Sequence, residues 1–96
     1  MMAQEFTAQM STSAHGWRLY VVLLNTFEVW PEHDFGRAAP VPTFTERAAA
    51  LTALGYELVP GAEWEWCETP DIPDDLSSPV CLIATARVRS RTGVGR

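Results

Sequence analysis

Six consecutive apolar residues, Leu19 to Leu24, constrain the fold of this chain more than any other stretch. They lie within WRLYVVLLNTFEVW, residues 17–30, with Gly16 before the run and Asn25 after it. The run is too short for a membrane span, which needs about 20 apolar residues. Its β-branched and aromatic residues favour a strand over a helix. We therefore predict a buried strand that begins near Gly16.

The same segment predicts a β-hairpin. We expect a two-residue turn at 25–26 and a second strand at 27–30, which places Leu24 opposite Phe27. A proline-rich connector, residues 31–42, follows this hairpin. Proline cannot donate a ladder hydrogen bond, so the second strand either ends there or lies at the edge of the sheet.

A helix is predicted over residues 44–54. Thr43 and Glu46 have the spacing of a capping box, in which each side chain binds the backbone amide of the other residue. Gly55 follows at the position where a left-handed residue commonly ends a helix. The predicted apolar stripe consists of Phe44, Ala48, Leu51 and Leu54.

Two further strands are predicted after the helix, at residues 56–67 and 80–89. The first is expected to break at Pro60-Gly61, and a proline-rich acidic loop separates the two. If Cys67 lies opposite Cys81, Trp66 meets Leu82 and Trp64 meets Ala84, which puts both tryptophans in the core. We expect the two cysteines to be reduced, with a disulfide switch as the open alternative.

These elements predict an α+β fold of order ββαββ. A four-stranded, mainly antiparallel sheet carries the helix on one face, and a β-grasp with parallel central strands remains an alternative. Residues 16–89 form the single predicted domain. Residues 1–15 and 90–96 are predicted to be flexible arms.

Charge is distributed unevenly along the chain. Eleven of the twelve acidic residues lie between Glu28 and Asp75, a span that contains only two arginines. The last 21 residues carry four arginines and no acidic residue. An acidic body opposes general binding to nucleic acid, because phosphate affinity depends on basic residues. All seven basic residues are arginine, which is typical of a GC-rich genome.

The apolar strand predicts an interaction surface. One helix covers only one face of a sheet, so the apolar residues on the other face need a second cover. We expect either an interface, most simply a two-fold homodimer, or an internal cover from Phe6, Met10 or Phe35. The candidate interface residues are Tyr20, Val22, Leu24, Phe27 and Val29.

No catalytic, cofactor or metal site is predicted. The run from Glu28 through Glu32 and His33 to Asp34 could ligate a divalent metal, but a strand end followed by a solvated loop explains it without a ligand and is preferred. The acidic loop at 68–75 lacks the spacing of a calcium-binding EF-hand. The sequence contains no GxSxG, HExxH, P-loop or dinucleotide-binding motif, so catalysis is disfavoured.

Three segments carry a resemblance to a known family: WPEH at 30–33, ALGYE at 53–57 and WEW at 64–66. The sequence resembles small uncharacterised actinobacterial proteins of unknown function, of the kind found in Streptomyces-type genomes. The likeness covers roughly residues 16–89. It implies no activity, cofactor or catalytic residue.

The function that the sequence favours is a non-catalytic protein-interaction module, an adaptor or regulator that self-associates or binds a protein partner. The alternatives are an acidic inhibitor that mimics DNA, and a nucleic-acid-associated regulator with a basic C-terminus. The arginines that would contact phosphate are Arg87, Arg89, Arg91 and Arg96. The N-terminus has no apolar signal-peptide core, so a cytoplasmic location is expected, with no membrane contact.

Overall fold

A six-stranded antiparallel sheet packs against one helix in the computed structural model of the chain, which describes residues 4–13, 16–24 and 26–91. The elements are β1 (Glu5–Ser13), β2 (Gly16–Val22), β3 (Glu32–Asp34), α1 (Phe44–Leu54), β4 (Tyr56–Leu58), β5 (Glu65–Pro70) and β6 (Val80–Ser90). The α+β class is confirmed. The predicted four strands and ββαββ order are wrong in detail, since three strands precede the helix and three follow it. All five strand pairings are antiparallel, which excludes the β-grasp alternative for the described strands.

The strand at the centre of the sheet is β1, which occupies most of the segment predicted to be a flexible arm. It pairs with β2 on one side and with β6 on the other, in the strand order β3-β2-β1-β6-β4. Its sequence alternates Phe6, Ala8 and Met10 with polar residues, as expected for a strand with one buried face. The flexible-arm prediction was wrong because only three apolar residues alternate in β1, and so short an alternation in a polar segment is a weak signal for a strand.

The predicted hairpin of residues 17–30 is also absent. The strand β2 ends at Val22 and pairs with β1, and residues 27–30 are not a strand. The second neighbour of β2 is the short β3, which pairs Leu19 with His33. Because β1 and β3 pair with the two edges of β2, no edge of β2 is free to pair with residues 27–30.

Gly16 is required where β2 begins. Its φ angle is +107°, and a Cβ atom added there would lie 2.6 Å from the backbone oxygen of Arg37. That same oxygen accepts a hydrogen bond from the amide of Trp17 at 2.9 Å. The close approach therefore fixes the start of β2 against the connector to the helix.

The segment after the helix is interrupted as predicted, but its register differs. The strands β4 and β5 pair with opposite halves of β6, and residues 59–64 between them form no strand. Cys67 lies opposite Ile83 and Cys81 opposite Thr69, so the predicted register is wrong by two residues. The side chains of β5 still lie on the predicted faces of the sheet, because they alternate along a strand with a period of two residues.

The helix has the predicted bounds, capping box and left-handed Gly55. Its buried face is different from the predicted stripe, because Arg47, Ala50 and Leu51 are buried while Phe44 and Ala48 are exposed. The buried core that the helix closes consists of Ala8, Met10, Trp17, Leu19, Val21, Ala50, Leu51, Ala84 and Val88.

Substitution of Met10 with alanine tests the central position of β1. Met10 is completely buried, so we expect the free energy of unfolding to fall by about 2–5 kcal/mol. The control is Thr7→Ala, on the exposed face of the same strand. Denaturant unfolding that gives equal, small losses for both variants would contradict a central β1.

Substitution of Gly16 with alanine tests the close approach to Arg37. Gly61→Ala is a matched control, because Gly61 also has a positive φ angle, +84°, but its added Cβ would meet no atom within 4 Å. A positive φ costs both variants about 1–2 kcal/mol, and only Gly16→Ala adds a steric clash with backbone. We expect a clearly larger fall in Tm for Gly16→Ala; equal shifts would contradict this account.

Candidate functional site

The connection between β2 and β3, which the structure describes at residues 23–24 and 26–31, exposes large apolar side chains and is called the apolar loop below. Leu24 is 75% exposed, Val29 is 93% exposed and Phe27 is completely exposed. Trp30 fixes the base of the loop by donating a hydrogen bond from Nε1 to the backbone oxygen of Leu23 at 2.8 Å. The exposed side chains therefore project from a loop that is tied to the sheet.

The remaining two candidate interface residues, Tyr20 and Val22, lie on the sheet face opposite the helix and are half-buried. Tyr20 stacks on Trp30 with ring centroids 6.2 Å apart, and its hydroxyl accepts a hydrogen bond from Gln9 at 2.7 Å. The five candidates are thus divided between a sheet face and a loop.

The sheet face opposite the helix is mainly polar, which differs from the apolar face expected from β2 alone. The neighbouring strands contribute Thr7, Gln9, Ser11, Thr85 and Arg87 to it. The residues considered as an internal cover, Phe6, Met10 and Phe35, belong to or pack against the core on the helix side. Because β1 was not foreseen, its polar side chains were missing from the prediction.

The arginines considered for phosphate contact are engaged with glutamates. Arg87 lies 3.4 Å from Glu5, and Arg89 lies 2.7 Å from Glu57. Arg91 approaches the same Glu57 at 3.9 Å, and Arg96 lies outside the described residues. These pairs reduce the positive charge that the strand end offers to a phosphate.

The acidic segments form no metal-binding cluster within the described residues. In β3, Glu32 pairs with Arg18 at 3.1 Å, and the His33 ring packs edge-on against Phe35 at 4.7 Å. Both cysteines are free, and Cys81 lies 3.4 Å from the backbone oxygen of Thr12 as a donor.

A polar cavity of about 630 Å³ lies beside the interruption between β4 and β5. Its lining includes two hydroxyl side chains and three charged ones: Thr7, Thr85, Glu63, Glu65 and Arg87. The lining contains no histidine and no cysteine.

Sequence reasoning missed a buried cation. Arg47 is only 6% exposed, and its guanidinium carbon lies 4.9 Å from the ring centre of Phe44 and 5.4 Å from those of Trp64 and Trp66. Burial lowers its pKa. Trp66 also packs edge-on against Trp17 at 5.9 Å, yet it stays partly exposed at the surface. The one available signal was the aromatic WEW segment, which was interpreted as core rather than as a partner for a cation.

The helix start beside Arg47 is held by a second arginine. Arg37 donates to both carboxylate oxygens of Glu46, at 2.8 and 2.6 Å, and Glu46 also accepts from the Thr43 amide at 2.9 Å. These hydrogen bonds, led by that from Arg37, lower the pKa of Glu46 to about 2. The negative charge of Glu46 is therefore matched within the chain.

The titration of Glu46 tests this arrangement. A carboxylate with a lowered pKa stabilises the fold above its ordinary value of 4.5, and this contribution is lost as the pH falls toward about 2. We expect the Glu46 carboxyl carbon to titrate by NMR near pH 2, and to titrate at higher pH in Arg37→Gln. Arg18→Gln, which breaks a different glutamate pair, should leave the Glu46 midpoint unchanged; an equal shift in both variants would contradict this assignment.

Within the described residues no helix is long and apolar enough to cross a membrane. No curated protein and no solved structure matches the chain. A family of unknown function, DUF6303, matches residues 4–96. That match includes β1 and nearly the whole sequence, and the chain therefore belongs to the DUF6303 family.

Proposed function

We propose that the protein is a non-catalytic protein-interaction module, an adaptor or regulator, that self-associates through the apolar loop. The observation that carries this proposal is the exposure of Leu24, Phe27 and Val29 within six residues of one loop. Scattered single apolar residues are normal on a surface, whereas several together favour an interface.

The loop presents apolar side chains whose burial favours association. Complete burial of a Leu, Val or Phe side chain contributes about 1.5–3 kcal/mol each, before the costs of association are subtracted. In a two-fold dimer both protomers bury the same loop residues, so symmetry doubles the gain in free energy. The partner we propose is therefore a second copy of this chain.

The arrangement of charge favours this proposal over binding to nucleic acid. The glutamates beside Arg87, Arg89 and Arg91 would have to be displaced before a phosphate gained a full ion pair. A cytoplasmic location and an actinobacterial origin remain predictions. The use of arginine and no lysine supports the second.

Light scattering over a dilution series tests self-association. We expect the unmodified protein to have about twice its monomer mass of 10.7 kDa, and the double variant Leu24→Ser with Phe27→Ser to be a folded monomer. The matched control is Leu76→Ser, since Leu76 is 88% exposed in the loop between β5 and β6. This control should keep the mass of the unmodified protein.

Two results would contradict the proposal. The first is an unmodified protein that is monomeric at every concentration tested. The second is a double variant that keeps the dimer mass, which would place the interface elsewhere. Circular dichroism of each variant ensures that a change in mass does not result from unfolding.

A further inference from the structure

Arg47 differs from the other arginines that the structure describes. Each of the other five pairs with a glutamate: Arg18, Arg37, Arg87, Arg89 and Arg91. Arg47 has no carboxylate partner, although it is the one buried charged residue, in the part of the chain that the structure describes.

The hydrogen bonds of the Arg47 guanidinium are incomplete. Its Nε donates to the backbone oxygen of Pro42 at 2.9 Å, while its buried Nη1 has no partner among the described residues. A buried donor without an acceptor is costly, and the cost is greater for a charged group. The three neighbouring rings offset part of this cost through cation–π attraction, but they do not replace a charge-assisted hydrogen bond.

We infer that Arg47 binds the carboxylate of a small organic acid with an apolar body. An arginine held by a fixed Nε hydrogen bond presents its remaining N–H donors in one plane, which suits the two oxygens of a carboxylate. The first turn of α1 adds a favourable field for an anion, and the nearby Glu46 is already matched by Arg37.

The surroundings of Arg47 select an acid with an apolar body over an inorganic anion. Phe44 is 74% exposed and Trp66 is also exposed, so two aromatic rings beside the guanidinium face solvent. An aromatic or branched aliphatic acid covers these rings while its carboxylate reaches Nη1. Because Nη1 is buried, this binding requires a neighbouring ring to move, and Phe44 is the most exposed of the three.

Binding of benzoate to the full chain tests this inference. Calorimetry should give saturable one-to-one binding of benzoate, no binding of benzyl alcohol, which lacks the charge, and weaker binding of sulfate, which lacks the ring. In Arg47→Met the affinity should fall about tenfold or more, the loss expected for a charge-assisted hydrogen bond. Arg87→Met, which removes a more exposed arginine, should bind benzoate like the unmodified protein.

NMR of the unmodified protein keeps the test decisive if Arg47→Met does not fold. Benzoate should shift the Arg47 Nε–H and Nη–H signals and the indole signals of Trp64 and Trp66, but not the Arg87 signals. Absence of these shifts at saturating benzoate would overturn the inference. Equal affinity in Arg47→Met and in the unmodified protein would overturn it as well.

Discussion

The pairing of β1 with both β2 and β6 is the interaction on which the rest of the structure depends. Without β1 the sheet would separate into a β3–β2 pair and a group formed by β6, β4 and β5. With β1 in place, its residues Ala8 and Met10 connect the apolar faces of the two halves, and Leu51 of the helix packs over them. Because β1 is also polar on its other face, it determines that the side of the sheet away from the helix is a polar surface.

The elements with strong local signals were predictable from sequence. The capping box and Gly55 gave the bounds of α1, and the apolar run predicted a buried strand from Gly16, where β2 begins. Elements that depend on distant partners were not predictable. The register of β5 against β6 depends on how many residues leave the sheet at 59–64, and local pattern does not specify that number.

The candidate site was predictable only in part, for the same reason. The loop residues were selected as members of a sheet face, and they are exposed because they follow the end of β2. The burial of Arg47 had no local signal, since an arginine in an alanine-rich helix is ordinarily solvated. Its environment arises from Phe44 on the helix, Trp64 before β5 and Trp66 within β5, which only the folded chain brings together.

The arrangement of charged residues differs between the surface of this acidic chain and the buried site of Arg47. Glutamates pair with the exposed arginines and leave little free positive charge at the surface, whereas the charge of Arg47 is buried beside three aromatic rings.

Hydrogen exchange at high and low protein concentration tests the central claim, self-association through the apolar loop, most directly. The account predicts concentration-dependent protection of residues 23–31 and none in the loop at 71–79; equal exchange of residues 23–31 at both concentrations would contradict it.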